Sequence, residues 1–289
     1  MKLEDIAIRD PFILADKRTQ KYYLYGTFYP DGNMGFWAYE SKDMKDWKGP
    51  VQIFKPGKDF WADQDFWAPE IYFIKDSYYM VATFKSENRC RSCQILKAEN
   101  PLGPYTPYSD ILTPKGWEAL DGTLGFEDGH PFLIFSHEWL QIKDGTICSI
   151  RLSDDLKHSI GEATTLFKAS NASWSGRPNW NKNDVRVTDG PFIYRGEGRN
   201  ALLWSTYNPD GYTIGVAYPQ GSFVKPDYVF DSKPLPIKDS GHGMVFKSFS
   251  GESYLIVHRE KDGNSSFEHA LIFNISINQG GISLKEVNK

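Results

Sequence analysis

The 289-residue sequence lacks the features of membrane and disulfide-rich proteins. No window approaches the roughly 18 uninterrupted apolar residues of a membrane-spanning helix. Residues 1–6 read MKLEDI and contain no apolar core of a signal peptide. Three cysteines are too few for a disulfide framework. We therefore expect a soluble protein without a membrane partner, cytoplasmic, or periplasmic or secreted if a signal peptide has been removed.

Clusters of one charge sign are also missing. The 33 Lys and Arg residues and 37 Asp and Glu residues are scattered and give a net charge of −4. Because nucleic-acid binding relies on basic patches, we do not expect nucleic acid as a partner. Cys90 and Cys93 have the spacing of a metal or redox motif, but no second pair completes a zinc site. We interpret them as ordinary thiols.

Helical periodicity is almost absent, and five related units take its place. Each unit opens on a short phrase, followed by a polar turn and a β-prone run. The phrases are DPFI at residue 10, APEI at 68, DGTL at 121, DGPF at 189 and HGMV at 242. Self-similarity at a period of this size is typical of repeat architectures in which each unit contributes one sheet.

Each unit contains about four β-prone runs bounded by Gly, Pro, Asn or Asp. The second run of each unit is predicted over residues 21–27, 77–83, 131–139, 200–206 and 253–258. Four antiparallel strands repeated radially describe a β-propeller. The sequence therefore predicts an all-β fold, a five-bladed β-propeller that forms one domain over residues 1–289. Its ring is expected to close by packing between the first and last blades.

Three aspartates and a histidine open four of the five units. Asp10, Asp121, Asp189 and His242 would converge near the propeller axis. An aspartate before Pro or Gly is often a turn residue, but a turn residue would be expected in all five units, and Ala68 opens the second. Like charges at close range raise the pKa of at least one carboxyl. Glycoside hydrolysis needs one protonated and one ionised carboxyl group.

Aromatic residues make up 15% of the chain, more than a core requires. Exposed aromatic faces in a cleft suit sugar rings, whereas for each aromatic taken alone core packing is the more common role. The sequence suggests Trp37, Trp61, Phe66, Trp67 and Trp139 as a sugar platform. Among the residues expected to contact substrate are Trp37, Phe66, Trp67, Glu70, Glu138 and His242.

Five phrases in this order at blade spacing resemble glycoside hydrolase family 43, the five-bladed propeller enzymes that act on arabinofuranosides and xylosides. Arg9 and Asp10 match the family's first-blade phrase, which implies that Asp10 is the general base. The phrase at residues 67–70 resembles the second-blade phrase, and Asp121 falls where the family keeps an aspartate that modulates the pKa of the acid. His242 matches the fifth-blade histidine, which implies a metal or water cluster beside it. The resemblance covers essentially the whole chain.

Asp189 departs from the family pattern, which usually has glutamate at the position of the general acid. Aspartate is one methylene shorter, so its carboxyl group lies roughly 1.5 Å further back. A misplacement of about 1 Å can cost on the order of a hundredfold in rate. We favour Asp189 as the acid, with Glu138 as the alternative acid and Glu70 next.

The resemblance implies an inverting, exo-acting hydrolase of α-L-arabinofuranosyl or β-D-xylosyl linkages in plant polysaccharides. Such a hydrolase requires no cofactor for catalysis. If a metal is bound, we expect a calcium ion near His242, held mainly through waters. Two alternatives stay open: a fructan- or sucrose-cleaving enzyme of the related five-bladed families, and a catalytically silent carbohydrate-binding propeller. The fructan enzymes carry an Asn-Asp-Pro-type phrase and a Glu-Cys acid, and the sequence has neither. The substitution at Asp189 keeps the silent propeller open.

Overall fold

The computed structural model describes residues 1–196, 198–261, 264–278 and 281–287, and within them it contains twenty strands in five four-stranded antiparallel sheets. Every sheet is built from four consecutive strands, in sequence order from the first to the fourth. The prediction of a five-bladed β-propeller with four strands per blade is confirmed.

The strands divide evenly among the blades. Blade 1 contains β1 (Arg9–Asp16), β2 (Lys21–Thr27), β3 (Phe36–Ser41) and β4 (Trp47–Phe54). Blade 2 contains β5 (Gln64–Ile74), β6 (Ser77–Ser86), β7 (Arg89–Ala98) and β8 (Thr106–Ile111). Blade 3 contains β9 (Ala119–Glu127), β10 (His130–His137), β11 (Thr146–Leu152) and β12 (Ser159–Lys168). Blade 4 contains β13 (Asp189–Arg195), β14 (Asn200–Asn208), β15 (Gly211–Pro219) and β16 (Tyr228–Phe230). Blade 5 contains β17 (Ser240–Lys247), β18 (Ser253–Lys261), β19 (Asn264–Asn278) and β20 (Gly281–Glu286).

Helical structure is confined to single turns in the described part of the chain. The α-helical turn α1 covers Trp139–Ile142, and 3₁₀ turns cover Leu3–Asp5, Pro30–Gly32 and Ala169–Asn171. The run expected to extend to residue 139 ends at His137, because Trp139 begins α1 instead. The other second strands contain the full runs that the sequence predicts.

The core lies between the blades. Both faces of a blade are covered by its neighbours, so central strands read as nearly continuous buried runs, as in the eight buried residues at the start of β6. Separate apolar clusters fill the spaces between blades 2 and 3, between blades 3 and 4, and between blades 4 and 5. A larger cluster joins blades 5, 1 and 2. Each fully buried large side chain contributes about 1.5–3 kcal/mol, so no blade is stable without its neighbours.

The ring closes without a blade shared by the two ends of the chain. Strand β1 packs against β17 and β18, as expected from the sequence. Main-chain bonds add to this packing: the Ile8 N–H donates to the Glu268 carbonyl at 2.8 Å, and Ala7 forms a bridge with His269. The expectation of closure by packing was therefore incomplete.

The three cysteines are free thiols. Cys93 is buried and packs against Gly122 of the next blade, where an added Cβ would fall 3.2 Å from its sulfur. Cys93 therefore has a packing role, which agrees with its interpretation as an ordinary thiol. No helix in the described ranges is long and apolar enough to cross a membrane.

Candidate active site

The innermost strand of each blade is its first strand, that is β1, β5, β9, β13 or β17. Each of these strands begins with a shift in register against the second strand of its blade. Strand β5 has two such shifts, with Asp65 at positive φ in the first, and its second shift, which contains Ala68, is the one equivalent to those of the other blades. One residue in each equivalent shift has a positive φ. These residues are Asp10 (48°), Ala68 (47°), Asp121 (57°), Gly190 (47°) and His242 (50°). Positive φ is strained for a residue with a side chain and costs roughly 1–3 kcal/mol. The five bulges lie at equivalent ends of the innermost strands, so they surround the axis of the propeller.

A ring of hydrogen bonds from the bulges holds the blades together. The N–H of each bulge residue donates to a side chain of the preceding blade. The bonds run from Ala68 to Thr27 Oγ1 (2.8 Å), from Asp121 to Thr83 Oγ1 (2.9 Å), from His242 to Ser205 Oγ (2.8 Å), from Asp10 to His258 Nδ1 (3.1 Å) and from Gly190 to Asp121 Oδ2 (2.9 Å). These bonds satisfy buried amides, and they explain how strained bulges persist.

The fourth bulge corrects the sequence interpretation of Asp189. Asp189 pairs with Ser205 as Arg9 pairs with Thr27, so Asp189 lies one residue before the bulge. Gly190 occupies the position equivalent to Asp10 and Asp121, and the expectation that the three aspartates share one repeat position is wrong. A side chain at 190 would not fit, because an added Cβ would lie 2.8 Å from Cγ of the His242 ring.

Asp10 lies among cationic and donor groups. Its Oδ2 accepts from Thr27 Oγ1 at 2.7 Å, and its Oδ1 lies 3.1 Å from Nδ1 of His242. Burial opposes ionisation, but His242 and Arg9 outweigh it and hold the pKa of Asp10 well below its usual range. His258 accepts the Asp10 N–H at Nδ1 and is therefore neutral, and burial lowers its pKa to about 3. The favourable charge comes from His242 and Arg9, and Asp10 is ionised.

His242 lies between two carboxylates. Its Nδ1 is 3.1 Å from Asp10 Oδ1 and 3.7 Å from Asp121 Oδ2. Burial lowers the pKa of His242, but the two aspartates outweigh burial and raise it to about 10. The imidazolium form therefore prevails at neutral pH. Burial and the neighbouring Asp10 raise the pKa of Asp121, while His242 and the Gly190 N–H oppose the rise.

Asp189 lies in the opposite environment. Its Oδ2 accepts a hydrogen bond from Tyr212 Oη at 3.2 Å. Burial, followed by the charges of Asp121 and Glu138, raises the pKa of Asp189 to about 8. No cation bonds Asp189 in the described residues, so at neutral pH it is mainly protonated.

Glu138 is held by an arginine. Arg91 Nη1 lies 2.8 Å from Glu138 Oε2, and the same guanidinium contacts Asp65 at 2.9 Å and Glu118 at 3.4 Å. The guanidinium also lies over the Trp67 ring, 4.8 Å from its centroid. Burial raises the pKa of Glu138 to about 7, although Arg91 opposes the rise. Glu138 acts on Asp189 through its charge, but its own carboxyl is already bound.

Glu70 is buried in the wall of the site. Its carboxylate accepts a hydrogen bond from the Tyr72 hydroxyl. Burial raises the pKa of Glu70 to about 7, against the hydroxyls of Tyr72 and Thr123, which lower it. Its charge interacts with those of His242 and Asp121, which places it beside the axis. A substrate contact by Glu70 stays a prediction.

The aromatic residues divide between core and cleft. Phe66 is fully buried among other phenylalanines, including Phe36 and Phe84, so its predicted contact with substrate is wrong. Trp61 donates its indole N–H to Gln94 and packs into the same cluster. The sequence could not separate these core aromatics from Trp67, since each occurs in an aromatic-rich phrase.

Trp37, Trp67 and Trp139 are partly exposed. Trp37 Nε1 is buried and has no protein partner among the described residues, so it is available as a donor. Trp139 lies 5.8 Å from the ring of Trp180, which is 59% exposed. The substrate contacts predicted for Trp37 and Trp67 stay predictions.

Sequence reasoning missed Tyr212, Arg91 and Glu268. Glu268 bonds Arg9, with its Oε2 2.9 Å from Nε, and burial raises the pKa of Glu268 to about 7. Tyr212 follows a hairpin turn and has no motif around it, and Arg91 lies inside the Cys90–Cys93 phrase. The one available signal was Arg91 itself, a charged residue between two cysteines that do not form a metal site.

Among the described residues, the side chains around His242 do not form a group that could hold a metal ion directly. Across the residues that the structure describes, no group of three or more His, Cys, Asp or Glu side chains is arranged to hold a metal ion. Nδ1 of His242 faces two carboxylates directly, at 3.1 Å from Asp10 Oδ1 and 3.7 Å from Asp121 Oδ2. The calcium ion expected near His242 therefore stays a prediction without direct ligands here.

The family follows from the sequence as a whole. The model of the family described as "Glycosyl hydrolases family 43" matches residues 5–282. The chain belongs to glycosyl hydrolase family 43. No curated protein sequence matches this family 43 chain.

Solved structures agree with the family assignment. The endo-arabinase from Bacteroides thetaiotaomicron VPI-5482 is 39% identical, with a TM-score of 0.89 over 97% of this chain and 98% of that chain. A thermostable family-43 glycoside hydrolase is 22% identical, with a TM-score of 0.83 over 98% of this chain and 94% of that one. The α-L-arabinofuranosidase from Lactobacillus brevis is 16% identical, with a TM-score of 0.76 and full coverage of both chains. The last two share the fold with this family 43 hydrolase.

Proposed function

We propose that the protein is an inverting hydrolase of arabinan that uses Asp10 as general base and Asp189 as general acid. The single observation that supports this assignment most is that two partly buried aspartates of one site have opposite electrostatic surroundings. The pKa of Asp10 lies well below its usual range, whereas that of Asp189 is raised to about 8. Glycoside hydrolysis by two carboxyl groups requires this division.

The contacts of Asp10 suit a base that activates water. Thr27 and His242 each donate to one of its oxygens and hold the carboxylate in a fixed orientation. Asp10 removes a proton from a water molecule, whose oxygen attacks the anomeric carbon. The bond from that carbon to the glycosidic oxygen breaks, and Asp189 delivers its proton to the departing oxygen. Inversion requires the two carboxyl groups to lie about 6.5–9.5 Å apart, with room for the water.

Asp121 supports the acid without touching the leaving group. Its carboxylate receives the Gly190 N–H at 2.9 Å, directly beside Asp189 in sequence. Among the charged groups, Asp121 is the largest cause of the raised pKa of Asp189. We assign it the role of keeping Asp189 protonated, as the sequence suggested.

Glu138 is the second candidate for the acid. Burial raises its pKa to about 7, which is suitable for a general acid. Its Oε2, however, lies 2.8 Å from Arg91, and a bound guanidinium favours the charged form. Among the described residues, the carboxyl group of Asp189 has only the Tyr212 hydroxyl as a hydrogen-bond partner, so the contacts favour Asp189.

Arabinan as substrate is supported by the 39% identical structure, which is named an endo-arabinase. That relative also favours cleavage inside the polymer over the exo action inferred from the sequence. The exposed Trp180 beside Trp139 supports a chain that extends past one sugar, because sugar rings stack on exposed aromatic faces. Xylosyl substrates stay an alternative, since a xylan β-1,4-xylosidase from Bacillus halodurans C-125 shares the fold at 19% identity.

The test is hydrolysis of linear arabinan followed by proton NMR and by chromatography of the products. Inversion at an α linkage gives the β anomer as the first product, and internal cleavage gives arabino-oligosaccharides of mixed length from the start. Release of arabinose alone would establish exo action. Retained configuration would overturn the roles of Asp10 and Asp189 and favour the fructan-type mechanism.

The same assay separates enzyme from binding protein. Binding of arabinan without turnover, on arabinan and on a panel of nitrophenyl glycosides including the xyloside, would establish the catalytically silent propeller. Asp10→Asn is the control, because the isosteric amide keeps the site's shape and removes only the base.

A further inference from the structure

Tyr212 is the one side-chain donor to Asp189 in the part of the chain that the structure describes. Tyr212 is the second residue of β15 and pairs across the hairpin with Tyr207 of β14. Its Oη lies 3.2 Å from Oδ2 of Asp189, which opens β13 in the same blade. The hydroxyl therefore reaches the start of the innermost strand from the third strand of the blade.

The Tyr212 ring is fixed by blade 5. It stacks on the His258 ring, with centroids 5.7 Å apart and planes inclined by 17°. Its edge lies against Gly241, where an added Cβ would fall 2.0 Å from Cε1 of the ring. The ring cannot swing away from Asp189 without displacing backbone of the next blade. The hydroxyl position is therefore set by the junction of blades 4 and 5.

Tyr212 is a permanent donor in the working pH range. Burial, followed by the charge of Asp189, raises the pKa of Tyr212 well above its usual value of 10. Its neutral hydroxyl has one proton, and the geometry directs that proton to Oδ2 of Asp189.

We propose that Tyr212 is a positioning residue that confines the transferable proton of Asp189 to Oδ1. In a protonated carboxyl group, one oxygen is carbonyl-like and accepts, and the other carries the proton and donates. A donor held against Oδ2 favours the carbonyl form of that oxygen and leaves Oδ1 as the acid. The carboxyl is thereby oriented as well as bound, which a general acid needs for transfer to the glycosidic oxygen. This inference rests on the proposed role of Asp189.

The test compares Tyr212→Phe with Tyr207→Phe. Both variants keep an aromatic ring and remove one hydroxyl, and the Tyr207 ring lies beside Tyr212 at 5.0 Å. We expect Tyr212→Phe to lower kcat about ten- to a hundredfold on arabinan and to leave a dinitrophenyl arabinofuranoside nearly unaffected, since a misplaced acid slows only substrates that need protonation. Tyr207→Phe should keep kcat within about twofold on both substrates.

The pH profile supplies a readout that a structural role would not change. A hydrogen bond to a carboxylate favours its charged form, so Tyr212 lowers the pKa of Asp189. Removing the hydroxyl should move the alkaline limb of kcat/KM to higher pH. Equal losses on both substrates, or an unmoved alkaline limb with unchanged kcat, would overturn the proposal.

Asp189→Asn, assayed on the same two substrates, separates this inference from the proposed function. If Asp189→Asn shows the leaving-group dependence and Tyr212→Phe does not, Tyr212 does not position the acid and the role of Asp189 stands. If Asp189→Asn shows no such dependence and Glu138→Gln does, Asp189 is not the acid and both proposals fail together.

Discussion

Asp10 and Asp189 are the same type of residue, both partly buried near the axis, yet they lie in opposite electrostatic surroundings. Asp10 is bonded by the His242 imidazolium and has Arg9 nearby, whereas Asp189 has the carboxylates Asp121 and Glu138 nearby. Burial raises the pKa of both groups, so burial cannot separate them. Neighbouring charge decides which carboxyl is a base and which is an acid.

The two surroundings are contributed by different blades. The positive charges that lower the pKa of Asp10 come from His242 of blade 5 and Arg9 of blade 1. The negative charges that raise the pKa of Asp189 come from Asp121 and Glu138 of blade 3, and they outweigh the opposing charge of His242. The opposite ionisation of the two aspartates therefore depends on the arrangement of the blades around the axis. Substitutions near either aspartate can change it.

The largest expected effect is loss of the base. Asp10→Asn should lower kcat by about 10⁴-fold on every substrate, because activation of water is needed whatever the leaving group. Steady-state rates on arabinan and on a dinitrophenyl arabinofuranoside measure this loss. An unchanged melting temperature would confirm that the fold survives. Activity that persists on the dinitrophenyl substrate would contradict the role of Asp10.

The second largest effect is expected from loss of the acid, and it should depend on the leaving group. Asp189→Asn should lower kcat on arabinan by about 10²–10⁴-fold and leave the dinitrophenyl substrate nearly unaffected, because that leaving group departs without a proton. The ratio of the two rates is the measurement. Glu138→Gln serves as the matched variant, and the dependence should appear with Asp189→Asn alone.

A smaller effect is expected from removing one negative charge near Asp189, because this charge raises the pKa of Asp189. Asp189 works as an acid only below its pKa of about 8, so the alkaline limb of kcat/KM reports that pKa. Asp121→Asn removes a negative charge that raises this pKa, and the alkaline limb should move to lower pH, with a rate loss of about tenfold. Asp154→Asn removes the same charge from an exposed site of blade 3 and should leave the profile in place. A limb that moves to higher pH would contradict the role of Asp121.

The smallest expected effect concerns metal. His242 holds Asp10 and Asp121 directly, so its charge already performs the neutralisation that a bound cation would provide. We expect treatment with EDTA to change kcat/KM by less than about twofold. A larger loss that added calcium restores would establish the water-held ion that the sequence suggested.

The fold was predictable because turns and alternation repeat along the chain. The runs at 21–27 and 77–83 are near copies, and both lie in the second strands of their blades. The ends of strands were less predictable, as at Trp139, where a helical turn replaces the end of the predicted run. Local sequence determined the strands well, but it did not determine where tertiary contacts end them.

The sequence predicted that Asp10, Asp121 and His242 lie together near the axis, as they do, but the geometry of the candidate site was less predictable. The bulge that places Gly190 rather than Asp189 at the repeated position depends on register between strands, which sequence phrases do not reveal. The burial of Phe66 and the partner of Glu138 depend on contacts between blades. Tyr212 was missed because a tyrosine in a strand gives no sign of whether its hydroxyl meets a carboxylate.

The hydrogen bond from the Asp10 N–H to His258 joins residues 248 positions apart. Loop closure of such length is entropically costly, so contacts of this kind form late compared with hairpins inside a blade. His242, which stabilises the ionised form of Asp10, also belongs to the last blade. The surroundings that keep Asp10 ionised are therefore incomplete until blade 5 has been synthesised and has packed against blade 1. A chain that ends before His242 is accordingly expected to lack hydrolytic activity.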